Sequence, residues 1–194
     1  WSNKRPHAWN SLHPTQGYGL LAEVSYANKN IFGNFSYTRF KTDMYANIGI
    51  GKTALYFRMK TMVSSGQPPA QDYVGLTNDR PLYIGGIGPS ELLPENHNPR
   101  GWSGYRLGNK LVFGSAEYRL PVVPKLISLN IISDFGNAWS KNTEKEKIVV
   151  TGGYELRISV GPFIVSGGNA QTVDDWKNNK NPIRYYRLAL INPF

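Results

Sequence analysis

Apolar and polar residues alternate with a period of two along most of this 194-residue chain. Successive side chains of a strand point to opposite faces, so such a pattern commits each segment to one apolar and one polar face. In Tyr18–Tyr26, Tyr18, Leu20, Ala22, Val24 and Tyr26 share a face, with Glu23 and Ser25 opposite. Thr53–Ser64 sets Leu55, Phe57, Met59 and Val63 against Arg58 and Lys60. Leu111–Leu120 sets Val112, Gly114, Ala116, Tyr118 and Leu120 against Ser115, Glu117 and Arg119. Leu126–Trp139 sets Ile127, Leu129, Ile131 and Phe135 against Ser128, Asn130 and Asp134, and Ile148–Val160 sets Tyr154, Leu156, Ile158 and Val160 against Glu155, Arg157 and Ser159. Phe32–Ala46 reads as a strand whose imperfect period suggests a bulge; Phe163–Thr172 and Ile183–Phe194 complete the set. The reading is eight antiparallel strands in an all-β chain.

That pattern disposes of one motif. Ala46–Thr53, "ANIGIGKT", fits the loose form of a phosphate-binding loop. Such a loop needs a helix to start at its Lys, so that free N–H groups face the phosphates. Period two follows Lys52, so a strand starts there, and "NIGIG" reads as a tight hairpin turn.

Between Gly66 and Gly108 the alternation breaks. This segment carries six of the thirteen Pro, in clusters such as "GQPP", "GGIGP" and "ENHNPRGW". A structureless loop of about forty residues is unusual, and usually functional where it occurs. The second-half connections alternate in character: "LPVVPK" and "VGPF" are short, whereas Lys141–Lys147 and Asp174–Asn181 are longer and charged.

Composition narrows the class. No run reaches the roughly 20 apolar residues of a membrane helix. No Cys excludes disulfides and thiolate metal sites, and His7, His13 and His97 are too scattered for a metal cluster, so no metal or cofactor is expected. A net charge of +9 and twelve Tyr suit two β proteins. A nucleic-acid binder would line one groove with its basic residues and stack bases on its aromatics. A membrane barrel puts aromatics at the interfaces and charge in its lumen and loops. Here the basic residues alternate into one face or sit in turns, and Glu117 with Arg119 and Glu155 with Arg157 place opposite charges together. That favours the barrel over a nucleic-acid binder and over a soluble sandwich with charged outer faces. Leu55, Phe57, Tyr118, Ile127, Leu129, Tyr154, Leu156 and Leu188 are expected to meet lipid, opposite Arg58, Glu117, Asn130, Glu155 and Arg187. The chain opens at Trp1 with no charged-then-apolar leader, which suggests a processed chain or a fragment.

Four stretches, in order, resemble the C-terminal half of the barrel in the BamA/TamA family of outer-membrane assembly and translocation proteins. They are "LYIGGIG" (Leu82–Gly88) followed by "RGW" (Arg100–Trp102), "GSAEYRLPV" (Gly114–Val123), "SDFGNAW" (Ser133–Trp139), and "GYELRISVGPFIVSGGNA" (Gly152–Ala170) ahead of a terminal strand closing on Phe194. Pro99 and Trp102 stand where the family usually has an aliphatic residue and Phe or Tyr, and Pro193 precedes the last residue. The resemblance implies a transmembrane antiparallel β-barrel of about sixteen strands, of which residues 18–194 would form the back half, entered through a linker at 1–17. It further implies a non-enzymatic outer-membrane protein of a Gram-negative bacterium that inserts or exports other proteins through a lateral seam and a loop-plugged lumen. The implied partners are the bilayer and its lipopolysaccharide, the front half of the barrel, periplasmic domains, lipoproteins and unfolded outer-membrane cargo. A passive pore, or a barrel anchoring a separate N-terminal domain, is the alternative.

The candidate site follows. A carboxylate in a confined lumen needs a cationic partner, and one planar guanidinium can bridge two carboxylates. Glu117 and Asp134 lie on the polar faces of the two strands after the long loop. Arg100 is therefore expected to contact either or both, with Gly101 giving backbone room and Trp102 packing alongside. The resemblance implies the same docked tip. It also makes the last strand, with Tyr186, Leu188, Leu190 and Phe194, one side of the seam and the C-terminal signal; simple pairing with an absent first strand remains open. Ser103 in "GWSGY" is the sole nucleophile considered. It lacks the strand–turn–helix setting of a nucleophile elbow, and His97 nearby reads far more readily as a solvated loop residue.

Overall fold

The computed structural model describes residues 2–3, 16–31, 34–69, 73–77, 96–97, 99–140, 147–161 and 163–190. The alternating segments form β2 (Gln16–Ala27), β3 (Tyr37–Ile50), β4 (Thr53–Gly66), β8 (Lys110–Val123), β9 (Ile127–Trp139), β10 (Val149–Val160), β11 (Phe163–Thr172) and β12 (Ile183–Leu190). With a short β1 (Ser2–Asn3) they make one antiparallel sheet in the order β1-β2-β3-β4-β8-β9-β10-β11-β12. The sheet is open: β1 and β12 are its edges.

Because each long strand pairs with the next in the chain, the connections fall at alternate ends. Short ones (51–52, 124–126, 161–162) lie at one end and long ones (28–36, 67–109, 140–148, 173–182) at the other. The asymmetry read in the second half holds along all eight long strands.

The apolar face of the sheet is the more exposed one and the polar face the buried one. Phe57, Leu129, Tyr154, Leu156 and Leu188 are exposed and Leu55, Tyr118 and Ile127 half-buried, whereas Glu117, Asn130, Asp134 and Glu155 are buried and Arg58 half-buried. The side chain of Arg187 lies outside the described residues.

Several expectations need correction. The second strand is Tyr37–Ile50, not Phe32–Ala46, and it carries no bulge: its ladders to β2 and β4 are unbroken. The irregularity sits between Pro121 and Val123, where Pro121 has no N–H to give to the ladder. Asn47–Ile50 are strand, and the hairpin turn is Gly51–Lys52 alone, with Gly51 at φ 59°. A positive φ at the first central residue only is a hairpin geometry whose twist matches that of the strands. The segment 1–17 is not only a linker: Ser2 and Asn3 pair with Gly19 and Tyr18, and Gln16 already belongs to β2. The charged connection after β11 contains a one-turn helix, α1 (Val173–Lys177), because Thr172 accepts from the Asp175 N–H as its N-cap.

The long loop is not structureless. It holds β5 (Val74–Thr77), β6 (Asn96–His97) and β7 (Tyr105–Gly108), paired in the order β6-β5-β7. Val74 and Leu76 of β5 pack with Met62, Leu111 and Ala138, from the polar-side faces of β4, β8 and β9, and Trp102 and Phe113 adjoin them. This small apolar core, rather than hydrogen bonding alone, holds the loop across the main sheet. Residues 78–95 of the loop lie outside the described residues.

Candidate functional site

The tip of the loop lies on the buried face of the main sheet, and register explains what it meets. Ser115 of β8 sits directly opposite Asp134 of β9, and Glu117 opposite Ile132, one same-face position along. Arg119, Asn130 and Glu155 share the next row. Three consecutive same-face rows thus supply the carboxylates and hydroxyl that Arg100 reaches.

Arg100 is buried, at 3% exposure. Its Nε donates to Asp134 Oδ2 at 2.8 Å and its Nη2 to Oδ1 at 2.6 Å, a fork on one carboxylate. Nη1 donates to Glu117 Oε1 at 2.7 Å and Nη2 also to Ser115 Oγ at 2.8 Å. Ser115 Oγ in turn donates to Asp134 Oδ1 at 2.7 Å. The structure therefore brings Arg100, Glu117 and Asp134 together.

The site is wider than the sequence suggested. Arg119 Nε donates to Glu117 Oε2 at 2.8 Å, and Arg157 Nη2 to Glu117 Oε1 at 2.7 Å. Arg157 also pairs with Glu155, whose Oε2 lies 3.8 Å from Arg100 Nη1. Three guanidinium groups (Arg100, Arg119, Arg157) thus meet three carboxylates (Glu117, Asp134, Glu155), a balanced set. Buried charge is costly unless paired and hydrogen-bonded, and here each charge has partners. Arg119 extends the network towards β3 and β4: its Nη1 donates to Asn47 Oδ1 at 3.2 Å and its guanidinium lies 4.2 Å from the Tyr56 ring centre. The Glu117–Arg119 and Glu155–Arg157 pairs were legible in the sequence. The cross-strand reach of Arg157 and the parts played by Ser115, Tyr56 and Asn47 were not, because each depends on register.

Gly101 and Trp102 frame the tip. Gly101 has φ 81°, and a Cβ there would fall 2.2 Å from the carbonyl carbon of Ala170. The tip thus lies flat against the backbone of β11, where only a glycine fits. The backbone N–H of Trp102 donates to Pro99 O at 3.2 Å, and its side chain packs on the apolar core of the loop, with the Arg106 guanidinium 5.7 Å from its ring. Arg106 also bonds Asn137 Oδ1 at 2.9 Å and Lys147 O at 2.6 Å, tying β7 to β9 and its following connection.

The other candidates lie elsewhere. Tyr186 and Leu188 are exposed on the apolar face of the edge strand β12. The side chain of Leu190, and Phe194 altogether, lie outside the described residues. Ser103 is exposed, and the side chain of His97 is outside the described residues.

This arrangement, an Arg-Gly loop tip clamped to the polar side of a sheet whose other side is apolar and exposed, can be set beside known families. The family model for the Omp85 superfamily domain matches residues 10–169, most of the chain. The chain belongs to the Omp85 superfamily. No curated protein matches it. The Omp85 match takes in β2 to β10, the loop and most of β11, and stops short of β12. Membership makes the chain an outer-membrane protein, as in Gram-negative bacteria or organelles, in a superfamily whose general work is protein insertion or translocation.

Proposed function

We propose that this Omp85 chain is the C-terminal half of a BamA/TamA-type transmembrane barrel in a Gram-negative outer membrane, and that it assists other proteins into or across that membrane without enzymatic chemistry. Three long strands before the loop and five after it support the half-barrel reading, as does a sheet open at both edges. The exposed apolar face would meet lipid and the buried polar face a lumen. Short connections at one end and long ones at the other would set the first at the periplasm and the second outside the cell.

The observation that carries the reading is the Arg100 clamp on Asp134 and Glu117. It offers a way to hold a long loop across a lumen as a plug while the wall stays intact. The edge strand β12 would supply the second element. A strand edge carries unpaired N–H and C=O groups, which an incoming strand can satisfy by β-augmentation. In hydrocarbon each unsatisfied group costs several kcal/mol, so such an edge is a strong template. Lipopolysaccharide, periplasmic domains, lipoproteins and unfolded barrel proteins are the partners this mechanism would use.

The test replaces the full-length protein in cells by its Arg100→Ala form and measures the folded amount of other outer-membrane barrels. Reduced folding of those proteins, with this protein still present and heat-modifiable, is the expected result. Normal folding of the others despite a released loop would sink the assembly reading. If only conductance changed, the passive pore would replace it.

A further inference from the structure

The exposed face of β10, β11 and β12 carries a groove of about 440 Å³. Its lining follows the strand register in rows. Tyr154, Asn169 and Arg184 stand side by side on the three strands, and Asn169 Nδ2 donates to the Tyr154 hydroxyl at 2.6 Å. The next row is Leu156, Gly167 and Tyr186, and the one after it Ile158, Val165 and Leu188. Gly167 lines the groove in the middle row, and the notch it leaves is narrow, because a Cβ there would fall 3.0 Å from the Tyr186 ring. A polar row therefore caps a slot with a glycine floor and apolar walls.

The charge in that row is unusual for its surroundings. Among the described residues, alternation puts only one other charged side chain, Lys110 at the first position of β8, on this face of the eight long strands. Arg on a lipid-facing strand costs ~2–4 kcal/mol at mid-membrane but about 0–1 near the interface. Arg184 is the second residue of β12, at the sheet end bearing the long connections. That is the level at which headgroup phosphates lie, and a guanidinium matches a phosphate with paired donors.

We propose that this groove binds one phosphorylated, acylated lipid of the outer leaflet. Its phosphate sits on Arg184 and Asn169, and one acyl chain runs over Gly167 towards Val165 between Leu156 and Tyr186. The inference rests on the reading above that this face meets lipid with its long connections outside the cell. The slot adjoins the edge strand, so an occupying lipid would border any partner that pairs with β12.

The test uses the full-length protein in detergent, probed by native mass spectrometry with diphosphorylated lipid A, its dephosphorylated form and inorganic phosphate. Removing either the lipid phosphates or the guanidinium (Arg184→Ala) should weaken binding about tenfold, the scale of one charge-assisted contact. Gly167→Val, which fills the notch and leaves the charge, should weaken it similarly, while Arg184→Lys should keep part of it. Heat modifiability checks that each variant is folded, and Arg184→Gln stands in if the alanine form is not. Unchanged binding in the folded Arg184 and Gly167 variants would mean an ordinary aromatic and cationic interface belt, and the site would be wrong. Displacement of the lipid by equimolar inorganic phosphate would equally overturn the role of the slot. Quenching of a Leu129→Trp probe by brominated lipid tests separately whether the face meets lipid at all.

Discussion

Arg100 holds Asp134 through both its backbone and its side chain: the backbone N–H and Nε each donate to Oδ2 at 2.8 Å, and Nη2 donates to Oδ1 at 2.6 Å. The pair thus fixes the path of the loop tip as well as one side chain. Removing one partner of a buried pair costs ~3–5 kcal/mol, because a charge is left behind. Arg100→Ala should release the tip while the backbone bond to Asp134 persists only weakly. Arg100→Lys should restore one contact but not the fork. Limited proteolysis within 67–109 of the folded protein measures this, with cleavage rates ranked alanine, lysine, then wild type.

Glu117 and Asp134 should fail differently. Asp134 serves chiefly the tip, through Arg100 and Ser115, whereas Glu117 receives Arg100, Arg119 and Arg157. Asp134→Asn should mainly loosen the loop. Glu117→Gln weakens the shared acceptor that ties Arg119 of β8 to Arg157 of β10 inside the wall, so it should lower the urea midpoint of the whole sheet as well. Equal effects of the two substitutions on wall and loop would show that the cluster does not divide this way.

Much of this was legible because alternation is a local signal. Leu129 and Asn130 face opposite ways whatever the rest of the chain does, and Arg100 was the cation best placed for the carboxylates after the loop. What the sequence hid is set by register and by non-local packing. Val74 and Leu76 read as part of a Pro-rich loop, yet they form a core with Met62, Leu111 and Ala138 from three other strands. Arg157 reads as the partner of Glu155, two residues away, and only the β8–β9–β10 ladders carry it to Glu117. The helix α1 was missed because its cap, Thr172, is also the last residue of a strand.

Two glycines with positive φ allow a controlled comparison. Gly51 (φ 59°) has open space where a Cβ would go, whereas at Gly101 (φ 81°) a Cβ would strike the Ala170–Gln171 backbone at 2.2–2.5 Å. Gly51→Ala should cost only the left-handed backbone penalty, ~1–2 kcal/mol. Gly101→Ala should cost more and displace the tip although Arg100 is untouched. Equal destabilisation in urea titrations would mean that the tip does not lie flush on β11.

The helix after β11 should respond to acid. Asp175 is bonded by Lys180 Nζ at 2.9 Å and by the Thr172 hydroxyl at 2.7 Å, and these bonds hold its carboxyl below the usual carboxylate range. A depressed folded-state value means that the stabilisation is present above the ordinary Asp range and lost as pH falls through the lower, folded value. Amide exchange at Asp175 and the C-cap Asn178 should therefore quicken at strongly acid pH, and Asp175→Asn should remove most of that dependence. Lys180 is exposed and Asp175 only half-buried, so the change should remain local.

Leu129 provides the sharpest test of which face meets lipid. It is 36% exposed on β9, while its neighbours Ser128 and Asn130 are fully buried on the opposite face. On a water-facing sheet, an Arg at an exposed leucine position would be nearly neutral, within about 0.5 kcal/mol. On a lipid-facing strand near mid-membrane it should cost ~2–4 kcal/mol, because the bilayer cannot solvate the charge. Cross-strand neighbours sharpen the expectation: Leu120 of β8 and Leu156 of β10 flank position 129 on the same face, so no carboxylate stands opposite to pair with a new cation. Leu129→Arg in the full-length protein should therefore lower folding efficiency into lipid vesicles, and Leu129→Phe should leave it nearly unchanged. If the arginine form folds as well as the phenylalanine form, the apolar face does not meet hydrocarbon at this position.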